Sequence, residues 1–341
     1  MPRRKTVLSA CALIISTLLT TGATAQAAPN TAAIEYVMRA DGVSRAEAIR
    51  RLDAQPGQLR TAARLTGELG AARTTGAAIE DGELVVNVLD SQAATKVRAA
   101  GARPRIVSKS TVDVPADPVT TVAVQNVTPG LTQVNGSEPC TAGFAAKDSF
   151  GFNYMFTAAH CVKQVVPVVN GVPMGDVVRF DIGHDVALVR NLAPFHLQLG
   201  PHVFNHETGK FVTVLDELVI VPGATVCKEG ITSKHHCGRV NAINQPVTTK
   251  FGVVTGLIET DLCVKGGDSG GPLYVASSFA GFGFAAGITE GSKLFHSNGT
   301  PWHSGAQFCG SELTPPQPNV GYFVPIHPYL SAFGVSLITG N

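Results

Sequence analysis

At 341 residues the chain is long enough to bury a core, in one large domain or two smaller ones. Apolar residues make up 44% and charged residues 15%, with 36 Gly and 21 Pro, a globular and loop-rich composition that excludes general disorder. The formal net charge is +1 and no basic stretch is interleaved with the few aromatics, so nothing draws the protein to nucleic acid or to an anionic membrane.

The first segment reads as a targeting signal. Arg3, Arg4 and Lys5 form a positive end, Val7 to Leu19 is mostly apolar, and Ala23-Thr24-Ala25 and Ala25-Gln26-Ala27 offer small-residue cleavage sites. The apolar run falls short of the roughly 20 residues that span a bilayer, so residues 1–28 are expected to be removed and the remainder exported, with no membrane partner. Cys11 leaves with the signal. Six cysteines remain, Cys140, Cys161, Cys227, Cys237, Cys263 and Cys309, and an even number in an exported chain suggests three disulfides whose pairing spacing alone does not choose.

Residues 29–118 contain neither Cys nor His. Ala32 to Leu52 reads as helix, with Ile34, Val37, Met38, Ala46, Ile49 and Leu52 at helical spacings, and Ser44 with Glu47 has capping-box spacing for a second helix. Glu83 to Leu89 reads as a strand after the Asp81-Gly82 turn, and Ala93 to Ala99 as another helix ended by Gly101. This is a small α+β module. Pro104, Pro115 and Pro118 mark a passage towards a linker, with the boundary anywhere from Lys109 to Gly136.

Beyond residue 119 the texture changes, and all ten His lie there. Short β-prone runs alternate with turn residues: Tyr154 to Thr157, Val165 to Val169, Val177 to Phe180, Val186 to Val189, Phe211 to Leu215, Leu218 to Val221, Gly252 to Ile258, Leu273 to Val275, Phe282 to Ile288 and Tyr322 to Val324. So many short strands indicate an all-β sandwich or barrel. Pro328 opens a short C-terminal helical run with Tyr329, Leu330 and Phe333 on one face.

Three segments carry chemistry. In Phe156-Thr157-Ala158-Ala159-His160-Cys161 a strand ends at small residues and a His follows beside a Cys. Asp185 directly precedes the β-prone run Val186-Ala187-Leu188-Val189, although Asp176 and Asp181 border similar runs. In Gly266-Gly267-Asp268-Ser269-Gly270-Gly271-Pro272 the glycines let successive N–H groups converge on one point. Acyl transfer needs such donors where the carbonyl oxygen becomes an anion, and Gly267 and Ser269 are the natural pair.

TAAHC, DVALV and GDSGGP, in that order, resemble the catalytic signatures of chymotrypsin-like serine proteases. Val226 to Gly238 and Cys263 are similar to the bacterial streptogrisin and α-lytic protease branch, and Ala40 to Leu52 with Glu83 to Arg105 resembles that branch's pro-region. The resemblance implies two antiparallel β-barrels of six strands each over residues 119–341, after a small α+β pro-region over 29–118. It implies Ser269 as nucleophile, His160 as base and Asp185 as its orienting acid, with Gly267 and Ser269 as the oxyanion hole. It implies the disulfides Cys140–Cys161, Cys227–Cys237 and Cys263–Cys309, and a pair between Lys228 and Asp268 in which Lys lacks the bidentate fork of the usual Arg. Val264, Lys265, Gly266, Thr289, Glu290, Gly291, Ser292 and Gly321 are the expected substrate pocket. The strand Ile288 to Ser292 is one residue short against the family pattern. Either Thr289 faces Asp185 and donates its hydroxyl, or Glu290 does and two carboxylates meet; the first register is the expectation.

The resemblance further implies an exported monomer acting on proteins or peptides without cofactor or metal, whose pro-region assists folding and inhibits. Metal binding by His235, His236 and Cys237 competes poorly with a disulfide there. Gly267 to Gly271 also fits the nucleophile elbow of α/β-hydrolases, but Pro272-Leu273-Tyr274-Val275 continues as strand rather than helix. A catalytically silent protease-fold binding protein is the remaining alternative.

Overall fold

In the computed structural model the described residues are 31–70, 72–107, 118–119, 129–130, 133–135, 139–163, 165–169, 172–194, 196–249, 252–277, 281–295, 301–302 and 308–340. The expected signal and most of the passage from 109 to 136 lie outside them. No helix among the described residues is long and apolar enough to cross a membrane.

The N-terminal module has the expected helices and the strand from Glu83, but its second helix is longer and two further strands join the sheet, one of them through Pro104. Helix α1 spans Thr31–Asp41 and α2 spans Arg45–Leu69, capped by Ser44, whose hydroxyl accepts from Glu47 N–H. Helix α2 continues well past Leu52 through Pro56, although proline removes one hydrogen bond of the helical ladder. It persists because Leu52, Gln55, Leu59, Ala62, Leu65 and Leu69 keep one face buried over its whole length. Strands Thr74–Glu80, Glu83–Val88 and Arg103–Ile106 form a three-stranded sheet, and α3, Ser91–Ala99, packs on it.

The rest of the chain is mostly strand, arranged as two β-lobes. The C-terminal lobe closes as a six-stranded antiparallel barrel. Its strands are Thr225–Lys228, His236–Thr249, Gly252–Thr260, Asn319–Pro325, Phe282–Phe295 and Pro272–Ala276, each paired with the next and the last with the first. Among the described residues the N-terminal lobe is assembled from a four-stranded and a five-stranded sheet. The end of the chain completes it: after helix α4, His327–Phe333, strand Val335–Leu337 returns to pair with Ala145–Asp148. Phe333 stacks on Phe156 at 6.1 Å between ring centres, fastening that return to the strand before His160.

Two expected strands are corrected. Leu218 to Val221 is not a strand; Leu218, Ile220 and Val221 are buried in one cluster with Leu59, Leu65 and Ile79 of the N-terminal module, while Val219 is exposed. Val165 to Val169 forms strand only at Val168–Val169, and Val165 and Val166 are exposed. The longest missed strand, His236–Thr249, has its register broken three times by irregularities, which erases the two-residue alternation.

The module packs against the C-terminal barrel. Ala33, Ile34 and Val37 share a core with Val247, Val254 and Leu257. Tyr36 Oη donates to Asp261 at 2.7 Å, and Asp41 bridges Arg51 and Arg239 at 2.8 and 2.7 Å. Burial and the Asp261 carboxylate push the Tyr36 phenol up to about 12. Ile79 N–H donates to Pro222 O at 2.9 Å, and a Cβ at Gly223 would lie 2.0 Å from Ile79 O. Gly223 has φ +86°, so both its backbone and this contact require glycine.

Candidate active site

Strand Asn153–Thr157 runs through the N-terminal lobe and ends in a 3₁₀ turn, Ala159–Val162, that carries His160. The disulfide Cys140–Cys161 ties this turn to strand Pro139–Thr141. His160 and Asp185 are both buried. Asp185 Oδ2 lies 2.7 Å from His160 Nδ1, and Asp185 Oδ1 accepts from His160 N–H at 2.9 Å. One carboxylate thus fixes the imidazole through both its ring and its own backbone. Asp185 has φ +55°, a left-handed conformation that Asp tolerates better than most residues. Of the competing acids, Asp181 is taken by His184, at 2.8 Å to the ring, and Asp176 is exposed.

Ser269 sits on the turn before strand Pro272–Ala276. Gly267 and Gly270 have φ +106° and +81°, and a Cβ at Gly270 would lie 2.4 Å from Thr157 Oγ1. The turn is held from both lobes. Thr141 N–H donates to Ser269 O and Gly270 N–H to Thr289 O, each at 2.7 Å, while Thr141 Oγ1 donates to Gly267 O at 2.6 Å. Gly267 N–H and Ser269 N–H donate to no acceptor among the described residues. Ser269 Oγ donates to Glu290 O at 3.2 Å rather than to His160.

Beneath the turn Lys228 Nζ meets Asp268 Oδ2 at 2.8 Å, both fully buried. Asp268 also accepts from the N–H groups of Lys265, Thr232 and Ser233 and from the Ser233 hydroxyl. Burial alone would raise its carboxyl, but Lys228 and these hydrogen bonds hold it below the ordinary value. Burial pulls the Lys228 ammonium down, against the attraction of Asp268. The three backbone donors supply the directional contacts that a single ammonium lacks.

The expected register of the substrate strand is overturned. Thr289 Oγ1 donates to Gly271 O at 3.1 Å, and Glu290 is the side chain next to the dyad. The cause is a β-bulge. Thr289 pairs with Phe323 and Gly291 with Tyr322, so Glu290 is one residue too many for the partner strand, and its side chain is re-aimed. Side-chain ligand atoms of His160, Asp185 and Glu290 all lie within 4.8 Å of one another. A cation could bridge that spacing only at the expense of the His160–Asp185 bond. Thiolate ligation elsewhere is blocked, because Cys227–Cys237 and Cys263–Cys309 are disulfides.

Of the remaining predicted pocket residues, Val264 and Gly321 are in contact range: a Cβ at Gly321 would lie 3.0 Å from Val264 Cγ2. Ser292 pairs with Gly321 across the strands. Gly266 is part of the turn leading to Ser269, and Lys265 is drawn away to Glu312 at 2.7 Å. A second buried network escaped the sequence reading. Glu229, fully buried, accepts from Tyr274 Oη at 3.0 Å and is clamped by His206 at 3.0 Å and by His235. Burial would raise Glu229, but the two imidazoles hold it below its ordinary value.

The trypsin family model matches residues 127–302, which is 176 of 341 residues and just over half of the chain. The chain belongs to the trypsin family. Members of this family are chymotrypsin-like serine endopeptidases, and here the trypsin-family domain follows a pro-region, since the alpha-lytic protease pro N-terminal model matches residues 46–107. The chain is 32% identical to streptogrisin-C of Streptomyces griseus over 212 residues, which is 61% of this chain and 40% of that protein. It is 27% identical to serine protease 1 of Streptomyces fradiae over 317 residues, 75% of this chain and 80% of that one. Among solved structures, Thermobifida fusca protease A is 29% identical with a TM-score of 0.51, covering 63% of this trypsin-family chain and all of the other.

Proposed function

We propose that this chain is an exported serine endopeptidase made as a precursor, with residues 1–28 as signal, 29–118 as pro-region and 119–341 as protease domain. Ser269 is the nucleophile, His160 the base and Asp185 the orienting acid. The observation that carries the reading is the double hold of Asp185 on His160, through Nδ1 and through the backbone N–H. That hold leaves Nε2 as the ring atom for chemistry, and it stabilises the imidazolium formed when the ring takes a proton.

For reaction, the Ser269 hydroxyl exchanges Glu290 O for the His160 ring. His160 removes the hydroxyl proton as Oγ bonds to the scissile carbonyl carbon, and the carbonyl oxygen becomes an anion between Gly267 and Ser269 N–H. The proton then passes from His160 to the leaving amine, which departs and leaves an ester on Ser269. Water, deprotonated by His160, cleaves that ester and restores the enzyme. A fluorophosphonate probe should label Ser269 in the processed protein, and Ser269→Ala should lower peptide hydrolysis by on the order of 10⁴-fold or more. Processed, folded protein that takes no label sinks this reading in favour of a silent binding protein.

The pro-region acts as folding assistant and inhibitor. Its burial of Leu218, Ile220 and Val221, and its hydrogen bonds to Pro222 O and Asp261, support that role. Residues 119–341 expressed alone are expected to yield little active enzyme, because a β-rich domain with many non-local pairings folds slowly. Equal active yields with and without residues 29–118 would refute the assistant role.

A further inference from the structure

Glu290 is fully buried on its bulge, and among the described residues its Oε2 has no hydrogen-bond partner. Its carboxylate lies within 4.8 Å of an Asp185 oxygen and a His160 ring nitrogen. Both Asp185 oxygens already accept from His160, yet each carries a second lone pair. A carboxyl group beside a carboxylate can supply a hydrogen bond only while it keeps its proton.

We infer that Glu290 is a positioning residue for the reaction: as a neutral carboxylic acid it donates its O–H to Asp185 and keeps that side chain on the His160 ring. The inference rests on the endopeptidase reading above. The surroundings favour the neutral form. The charged groups acting on Glu290 are Asp185, which opposes its ionisation, and His160, which favours it. On its own strand, Thr289 donates its hydroxyl to Gly271 O, and Ser269 Oγ donates to the Glu290 carbonyl. Across the bulge stand Phe323 and Tyr322, and the Tyr322 hydroxyl is turned to Glu259 at 3.5 Å. Among the described residues no lysine or arginine is one of the groups acting on the carboxyl. Burial first, and then Asp185, push the Glu290 carboxyl up to about 8. When the proton leaves, the donor to Asp185 is lost and two like charges meet in a dry site. Asp185 is then driven off the ring that it orients.

The test is the pH profile of Ser269 labelling and peptide cleavage by the processed enzyme and its Glu290→Gln variant. Wild-type activity is expected to fall as pH rises past about 8. The fall should approach roughly tenfold per further pH unit as the neutral fraction declines. Glu290→Gln, whose amide N–H can donate to Asp185 without ionising, should hold a level profile over that range, while Glu290→Ala should lose kcat with KM little changed. The same alkaline fall in wild type and Glu290→Gln overturns the inference. Infrared difference spectra of the wild type provide a second readout that needs no variant to fold. Raising the pH through 8 should remove one protonated carboxyl band, and spectra without that loss overturn the inference as well. Absence of labelling at every pH would instead strike the endopeptidase reading, and the infrared result still decides the state of Glu290.

Discussion

Asp268 and Glu290 lie on either side of Ser269, both sealed from solvent, yet among the described residues Asp268 gathers five donors from Lys228, Ser233, Thr232 and Lys265 while Glu290 Oε2 gathers none. Burial raises both carboxyl groups, so depth alone does not decide their charge. Partners decide it. The Asp268 region is a closed electrostatic unit that stiffens the nucleophile turn from below. The Glu290 region is an open one, where a bulge has brought an acid to a place with a negative neighbour.

The largest expected effect comes from opening the closed unit. Lys228→Ala leaves Asp268 buried without its counter-charge and should destabilise the full chain by about 3–5 kcal/mol in denaturant unfolding. A loss below about 1 kcal/mol would mean that the backbone donors alone satisfy Asp268.

A second measurement sets the two regions against each other by pH. Glu290 titrates at about 8 when folded, against an ordinary 4.5, so between those values the native chain retains a proton that the unfolded chain has released. Its contribution to stability therefore declines as pH rises from 4.5 to 8 and is level above. Glu290→Gln should remove that slope and be more stable than wild type by a few kcal/mol near pH 8. Asp268 and Glu229 are shifted the other way. Their contribution is present above the ordinary carboxylate range and is lost as pH falls through their lowered folded values. Parallel stability curves for wild type and Glu290→Gln between pH 4.5 and 8 would contradict the contrast.

The smallest effect is expected from Ser233→Ala, which removes one of five donors to Asp268. A cost of about 1 kcal/mol in the same unfolding assay is expected, because four donors remain.

The segments around His160, Asp185 and Ser269 were legible because each is local: a strand end, an acid before a strand, a glycine-rich turn. The pairing of His160 with Asp185 rather than Asp181 was legible only through resemblance, since position in the chain does not distinguish the acids. Glu290 was misjudged for a physical reason. Strand residues alternate faces, and a single extra residue opposite Phe323 and Tyr322 exchanges the roles of Thr289 and Glu290. Leu218 to Val221 has a strand-like apolar run, but Leu218, Ile220 and Val221 are buried against the N-terminal module and not in a strand. Strand His236–Thr249 was missed because its irregular pairing leaves no simple pattern. The clamp on Glu229 by His206 and His235 joins residues that share no local signal at all.

Gly223 has a meaning that outlasts the contact it makes. Its missing side chain leaves a notch on the trypsin-family domain just wide enough for the Ile79 backbone of the pro-region. Gly223 also serves the barrel, since its backbone keeps φ +86° and its N–H donates to Val240 O at 2.8 Å. One glycine thus meets two demands at once, a turn within the barrel and a seat for the backbone of the preceding module.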